Sequence, residues 1–197
     1  MEINTRNDTN FLRALAIVLI LNSHLDNFYP VQQLATGGMI GNAFFFMLSS
    51  LGLYLSWQTK QQNDFQSWYS QRIIRIYPAV WITIIFIILP LAIYSGSLNA
   101  QSFFEKMGMF FFPPFWFLQA LMIYYLLAFF ILKRFSYRLL LVFSASILSV
   151  YIVYYYFYLD LTIFSIETNS LRQIFYFLIF LWGIYLGAVK EKSGVSI

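Results

Sequence analysis

The sequence predicts an all-α integral membrane protein, a polytopic bundle of about six transmembrane helices with both termini in the cytoplasm. Of its 197 residues, 60% are hydrophobic and only 10% are charged. Soluble domains carry about a quarter charged residues, so a chain this apolar is suited to a lipid environment. Its apolar runs are also about 20 residues long, the length that crosses a bilayer. We therefore expect a single integral membrane domain over residues 1–197, multi-pass in the cell membrane.

Six apolar runs give the predicted spans. They cover residues 11–29, 39–57, 76–95, 115–132, 139–159 and 171–189. A polar connection with QTKQQND at its centre separates the second span from the third. Pro78 falls in the first turn predicted for the third span, where proline is tolerated. Pro90 falls inside that span and predicts a kink.

The twelve lysines and arginines indicate the orientation. Cytoplasmic loops of membrane proteins carry the excess of basic residues. With both termini inside, the inner side holds ten of the twelve: Arg6, Arg13, Lys60, Arg72, Arg75, Lys133, Arg134, Arg138, Lys190 and Lys192. The outer side holds only Lys106 and Arg172. The alternation therefore favours both an even number of spans and cytoplasmic termini.

The first predicted span contains Arg13 and His24, the only histidine in the chain. In a continuous helix their spacing places both side chains within about 20° of one face, roughly 16 Å apart along the axis. Ionisable groups inside a span usually face the bundle interior or a wet cavity. The shared face therefore predicts a hydrated lumen reached from the cytosol, to which Asn22 adds polarity. Two alternatives stay open: Arg13 could snorkel to the headgroups, and His24 could bond to a neighbouring helix.

The chemistry of these side chains favours a site for a phosphate-bearing ligand next to a base. Histidine can accept a proton from a hydroxyl, and arginine binds phosphate through its fork of N–H groups. Arg72 and Arg75 are three positions apart, hence neighbours on a helix, and would form a second phosphate clamp at the same mouth as Arg13. The alternative explanation of this pair is ordinary inner-side flanking charge. We find no pattern typical of a metal site or of nucleic-acid binding, and the chain has no cysteine.

Three stretches occur in the order typical of one family of membrane enzymes. The first, LRALAIVLILNSH, holds an arginine and a histidine separated by ten residues. The others are GNAFFFMLSS, with Gly41, Phe45, Phe46, Leu48 and Ser49 at motif positions, and QRIIRIYPAVW, with Arg72, Arg75, Tyr77 and Pro78. The chain thus resembles the acyltransferase-3 family of membrane acyltransferases, in particular the N-terminal part of its domain. It departs from the family pattern at Asn10, Ser50 and Gln71, and six spans instead of about ten identify it as a short or truncated member.

The resemblance implies transfer of an acetyl or similar acyl group from cytoplasmic acyl-coenzyme A to a hydroxyl outside the cell, on an acceptor such as a surface polysaccharide or lipid-linked glycan. Arg13, Arg72 and Arg75 would hold the phosphates of the coenzyme. His24 would be the general base, and Arg13 would be the second catalytic residue. Acyl-coenzyme A is then a donor substrate, and no cofactor stays bound. Asn22 and Ser49 are candidate pore-lining residues, although helix packing explains Ser49 more simply.

Two alternatives to an active enzyme stay open. The chain could be a non-catalytic membrane protein, either transporter-like or an assembly partner, or it could be an inactive truncated remnant. Besides the lipid bilayer, a homo-oligomer or a second membrane subunit would be compatible with the sequence. The acid partner of His24, the acceptor and the acyl group cannot be chosen from these residues.

Overall fold

The structure, a computed structural model, describes residues 5–25, 28–60, 64–96, 104, 107–111, 115–134, 136–158 and 172–192. This part of the chain is helical and contains no strand. The helices are α1 (Thr5–Asn22), α2 (Gly38–Lys60), α3 (Phe65–Thr83), α4 (Leu89–Tyr94), α5 (Trp116–Arg134), α6 (Tyr137–Tyr158) and α7 (Arg172–Lys192). A short 3-10 turn, Gln32–Leu34, precedes α2, and a π-helical segment, Ile84–Ile88, joins α3 to α4.

Each predicted span corresponds to one helical stretch, so the all-α class is confirmed. Three described helices are long and apolar enough to cross a membrane, over Gly38–Thr59, Trp116–Arg134 and Arg172–Lys190. Two shorter apolar segments, Thr9–Asn22 and Leu139–Tyr154, lie in α1 and α6. The count of six spans and the cytoplasmic position of both termini stay predictions.

The chain divides into two compact units. The first consists of residues 1–61 and 131–197, and the second of residues 62–130. In the first unit α1 packs against α2, α2 against α7, and α7 against α6. The core of this unit therefore lies along α2 and α7, the two helices that have neighbours on both sides.

Glycines allow α2 and α7 to approach closely. Gly183 and Gly187 are four positions apart on α7 and form a G-x-x-x-G pattern. A Cβ at Gly183 would overlap the hydroxyl of Ser50 and the carbonyl of Met47, and one at Gly187 would lie 2.7 Å from the ring of Tyr54. Small residues of this kind let the backbones of membrane helices touch. The packing of α7 on α2 thus depends on the absence of side chains at these two positions.

The contact between α1 and α2 is equally close. A Cβ at Gly41 would lie 2.7 Å from the backbone oxygen of Ala16, whose own side chain is fully buried. Further along α2 the buried ring of Phe46 lies 5.4 Å from that of Tyr176 on α7. Since α2 is held on both sides, its carbonyls and small residues form the surroundings of any polar side chain that α1 presents to it.

The second unit is built on α3, which begins earlier than the sequence predicts. Asp64 caps it by accepting a 2.7 Å hydrogen bond from the backbone N–H of Ser67. The helix therefore starts at Phe65 rather than near residue 76, and Pro78 lies in its interior instead of its first turn. Side chains of α3 reach α5 through buried Trp68, whose ring lies 5.4 Å from that of Phe129.

The irregularity predicted at Pro90 takes the form of a π-helical segment. The backbone N–H of Leu89 donates to the carbonyl of Ile84, five residues back. Proline lacks an N–H, and its ring clashes with the carbonyl four residues before it, here Phe86. A π-helical turn contains about one more residue than an α-helical turn, so the π-helical segment just before Pro90 moves that carbonyl aside. Prolines are a common cause of such irregularities and bends in helices.

Candidate functional site

His24 lies in the turn that follows α1, not on the helix itself. The helix ends at Asn22, and the backbone N–H of His24 donates to the carbonyl of Leu21 at 3.0 Å. The hydroxyl of Ser23 donates to the carbonyl of Ile20 at 2.7 Å, which occupies one of the last carbonyls of the helix. The prediction of a helix through residue 29 is therefore wrong, while the shared face predicted for Arg13 and His24 stays a prediction. The side chain of His24 is exposed.

Asn22 ties the end of α1 to the loop before α2. Its side-chain amide donates to the carbonyls of Leu34 at 2.8 Å and Thr36 at 3.0 Å. Its side-chain oxygen accepts a 2.6 Å hydrogen bond from the hydroxyl of Tyr29. Both amide hydrogens are thus engaged, and only an acceptor position is left for a ligand. The role of Asn22 as a pore-lining residue stays a prediction.

Arg13 lies half-buried on α1 and points at the backbone of α2. Its Nη2 atom donates to the carbonyl of Leu48 at 3.3 Å. Gly52 lies one turn after Leu48, where a side chain would cover that carbonyl, and a Cβ there would lie 2.8 Å from Nη2. The missing side chain at Gly52 therefore gives the guanidinium access to the helix backbone. Ser49, also half-buried, is the next residue after the carbonyl that Arg13 contacts.

The predicted residues of the first unit thus fall into two groups at different levels of α1. Arg13 and Ser49 lie where α1 crosses α2, whereas Asn22 and His24 lie at the C-terminal end of α1. The helical rise from Arg13 to Asn22 is about 14 Å. The guanidinium of Arg13, on the middle of α1, and the imidazole of His24, beyond the end of α1, cannot act on the same atom of a ligand. They can hold the two ends of a long ligand.

Arg72 and Arg75 belong to the second unit and differ in their surroundings. Arg72 is only 6% exposed, and its guanidinium lies over the ring of Trp68, 4.9 Å from the centroid. Burial, and then the positive charge of Arg75, lower the pKa of Arg72 from its ordinary value, but an arginine stays protonated at neutral pH. Arg75 is exposed. The placement of this pair at the same mouth as Arg13 stays a prediction.

An apolar groove also opens in the first unit. It has a volume of about 390 Å³ and lies between α2, α6 and α7, with Met47, Ser144 and Trp182 among its lining residues. No lining side chain is charged, and the hydroxyl of Ser144 donates to the carbonyl of Leu141 at 3.0 Å. The groove therefore offers no charged side chain to a phosphate.

A comparison of the chain with models of protein families shows to which family it belongs. The family model of the acyltransferase domain matches residues 6–194. The chain belongs to the acyltransferase-3 family. Neither the curated proteins nor the solved structures compared with the chain match it. As an acyltransferase-3 domain, it is a membrane acyltransferase in general terms, and the resemblance predicted from its three motif stretches is confirmed.

Sequence reasoning missed two residues that shape the site of this acyltransferase-3 domain. Tyr29 contacts Asn22 through its hydroxyl, but from sequence it is one more aromatic residue near a span end. The missing side chain of Gly52 lets Arg13 reach the carbonyl of Leu48. The sequence does show this position, as a glycine inside an otherwise apolar helix. Such a glycine often marks a close approach of another group. Asn22 also marked the end of α1, because asparagine side chains compete for backbone hydrogen bonds.

Proposed function

We propose that this acyltransferase-3 protein moves an acetyl or similar acyl group from cytoplasmic acyl-coenzyme A to a hydroxyl of an extracytoplasmic acceptor, such as a surface polysaccharide. The observation that carries the proposal is the match of the acyltransferase domain over residues 6–194, in which Arg13 and His24 keep the family spacing. The donor and the acceptor class are drawn from the resemblance of the motif stretches to the family.

The reaction is an ester synthesis from a thioester. The imidazole of His24 accepts the proton of the acceptor hydroxyl while the hydroxyl oxygen attacks the acyl carbonyl. A C–O bond forms, the C–S bond breaks, and the thiolate of the coenzyme leaves and takes up a proton. General-base catalysis of this kind contributes about 10²–10⁴-fold to a rate. The exposed position of His24 in the turn after α1 supports this role, because a substrate hydroxyl can reach it.

The position of Arg13 supports a donor with a charged head and a long neutral arm. Arg13 uses one N–H to contact Leu48, and its fork has further donors for a phosphate oxygen. About 14 Å of helix rise separates it from the end of α1, so a ligand held by Arg13 needs an extended arm to deliver its acyl group near His24. Arg72 and Arg75 belong to the second unit and stay proposed phosphate contacts; Arg75 is exposed, and Arg72 lies over the ring of Trp68.

The proposal is tested by acyl transfer in isolated membranes. Radiolabelled acetyl-coenzyme A is supplied on the cytoplasmic side, and label is measured in material released from the outer surface. We expect the wild type to transfer label, His24→Ala to lose about 10²-fold or more of the rate, and Arg13→Ala to require more donor for the same rate. Ser146→Ala serves as the matched control, because its hydroxyl only donates to the carbonyl of Val142 within α6.

Two results would overturn the proposal. Absence of transfer by a correctly inserted wild type would favour a non-catalytic membrane protein. Transfer by His24→Ala and Arg13→Ala at the rate of Ser146→Ala would reject these two residues as the site. Protein levels in each membrane preparation are measured in parallel, so that a loss of rate is not a loss of protein.

A further inference from the structure

Asn22 is the centre of a hydrogen-bond network that spans the turn carrying His24. Tyr29 donates to the side-chain oxygen of Asn22, whose nitrogen donates to the carbonyls of Leu34 and Thr36. The contacts join the end of α1 to two separate points of the segment before α2. Because the turn with His24 leaves α1 directly after Asn22, its starting point is fixed by this network.

The orientation of the amide follows from its partners. Carbonyl oxygens only accept hydrogen bonds, so the atom that faces Leu34 and Thr36 must be the nitrogen. The remaining oxygen then faces the hydroxyl of Tyr29 and accepts a hydrogen bond from it. No other assignment of the amide satisfies all three contacts. The asparagine side chain, with two donors and an acceptor, is therefore matched to this position, and an aspartate would face two carbonyls without a hydrogen to offer.

The backbone on both sides of His24 is fixed as well. The N–H of His24 donates to Leu21 at 3.0 Å, and that of Leu25 donates to Asn22 at 3.1 Å. Beyond the loop, Gly37 adopts a φ of 96° and lies against the side chain of Leu19. A side chain at Gly37 would meet that leucine, so the loop returns closely onto α1 before α2 begins.

We infer that Asn22 and Tyr29 are positioning residues for His24: their hydrogen bond and the two bonds to Leu34 and Thr36 hold the turn that presents the imidazole. This inference rests on the proposed function, in which His24 is the base. An exposed imidazole on a free loop would sample many orientations, whereas proton transfer requires one within hydrogen-bond reach of the hydroxyl. The network supplies that restriction without contacting the substrate.

Two near-isosteric variants test the network. Tyr29→Phe removes only the hydroxyl, and Asn22→Asp keeps an acceptor for Tyr29 but loses both donors to the loop. Ser23→Ala is the matched control: it lies next to His24, but its hydroxyl donates only to the carbonyl of Ile20 in α1. We expect Tyr29→Phe and Asn22→Asp to lower the maximal rate of acyl transfer about ten-fold with the KM for acetyl-coenzyme A unchanged, and Ser23→Ala to retain the wild-type rate.

A second readout follows His24 without using activity. Because the chain has one histidine, histidine-selective isotope labelling of the full chain, purified with a tag that lacks histidine, gives a single imidazole signal in NMR spectra. We expect that signal to broaden or split in Tyr29→Phe and Asn22→Asp and to stay unchanged in Ser23→Ala. Apparent melting temperatures show whether each variant is folded, and Tyr29→Phe alone decides if Asn22→Asp is not.

The outcomes are distinguishable. A changed imidazole signal with a ten-fold lower rate supports the inference. An unchanged imidazole signal in both variants overturns it, whatever the rate. A changed signal with a wild-type rate overturns the link between the network and catalysis. If the wild type itself transfers no acyl group, the proposed function fails, and the imidazole signal still decides whether Asn22 and Tyr29 order His24.

Discussion

The close contact between α2 and α7 makes Gly183→Ala a direct test of the packing in the first unit. The added methyl would overlap the hydroxyl of Ser50 and the backbone carbonyl of Met47. The serine side chain can rotate, but the carbonyl is part of α2 and moves only with the helix. The substitution therefore forces α7 away from α2 or out of register with it, instead of displacing one flexible side chain.

The cost follows from overpacking. Extra methyl groups in a well-packed core cost about 1–3 kcal/mol, which for a chain of this size corresponds to roughly 2–12 °C in melting temperature. The assay measures the apparent melting temperature of the purified protein in detergent, from the fraction of protein that stays monomeric after heating. Gly108→Ala is the control, since a Cβ there has no atom of the described residues within 4 Å and should leave the melting temperature near that of the wild type.

A second substitution sharpens the test. The acyltransferase-3 pattern usually has glycine at the position of Ser50, so Ser50→Gly removes one of the two clashes while Met47 stays. We expect Ser50→Gly combined with Gly183→Ala to recover part of the lost stability, with a coupling of about 0.5 kcal/mol or more in a double-mutant cycle. Equal melting temperatures of Gly183→Ala and Gly108→Ala, or independent effects of Gly183→Ala and Ser50→Gly, would show that this contact does not limit the packing of α7 on α2.

Three further substitutions test other contacts. Gly52→Ala is expected to lower acyl transfer with little change in melting temperature, because among the described residues its methyl meets only the flexible guanidinium of Arg13. Equal losses of transfer and of stability would contradict this. Trp68→Ala is expected to cost about 3–5 kcal/mol of stability, since the ring is fully buried, while Trp68→Phe keeps more of the stability. Thermal unfolding measures the stability of both variants. Asp64→Ala is expected to cost about 1 kcal/mol through its lost cap, and Asp64→Asn almost nothing; identical melting of the two would exclude the cap.

The position and order of the helical stretches could be predicted because apolar length is a strong signal in membrane proteins, whereas the number that cross the membrane stays a prediction. Their ends could not, since apolarity reports where a chain enters lipid and not where its helix begins. The first turns of α3 are polar, so hydropathy missed them, although Asp64 three positions before Ser67 is a typical N-cap signal. The predicted first span reaches residue 29, although the stretch that follows Leu21 is mostly polar (NSHLDN), and side-chain hydrogen bonds of Asn22 end the helix there.

The residue types of the site could be predicted, but their contacts could not. The bond from Arg13 to Leu48 depends on the register of α1 against α2, which is set by the close approach of Gly41 to Ala16. A single sequence does not show which helices pair or at what height. That His24 and Arg13 line one stripe stays a prediction, because it assumed a helix that continues through His24, whereas α1 ends at Asn22.

The contact of Arg13 with α2 leads to one further prediction. A helix carbonyl has two lone pairs, so Leu48 can accept from Arg13 and still accept within α2, provided no side chain covers it. Lysine has a compact ammonium instead of a planar fork and cannot grip a phosphate bidentately while it contacts the carbonyl. Arg13→Lys is therefore expected to keep the melting temperature but to raise the KM for acetyl-coenzyme A about ten-fold or more. This increase corresponds to the loss of roughly one charge-assisted hydrogen bond. An unchanged KM in transfer assays would mean that Arg13 serves the packing of α1 on α2 and not the donor.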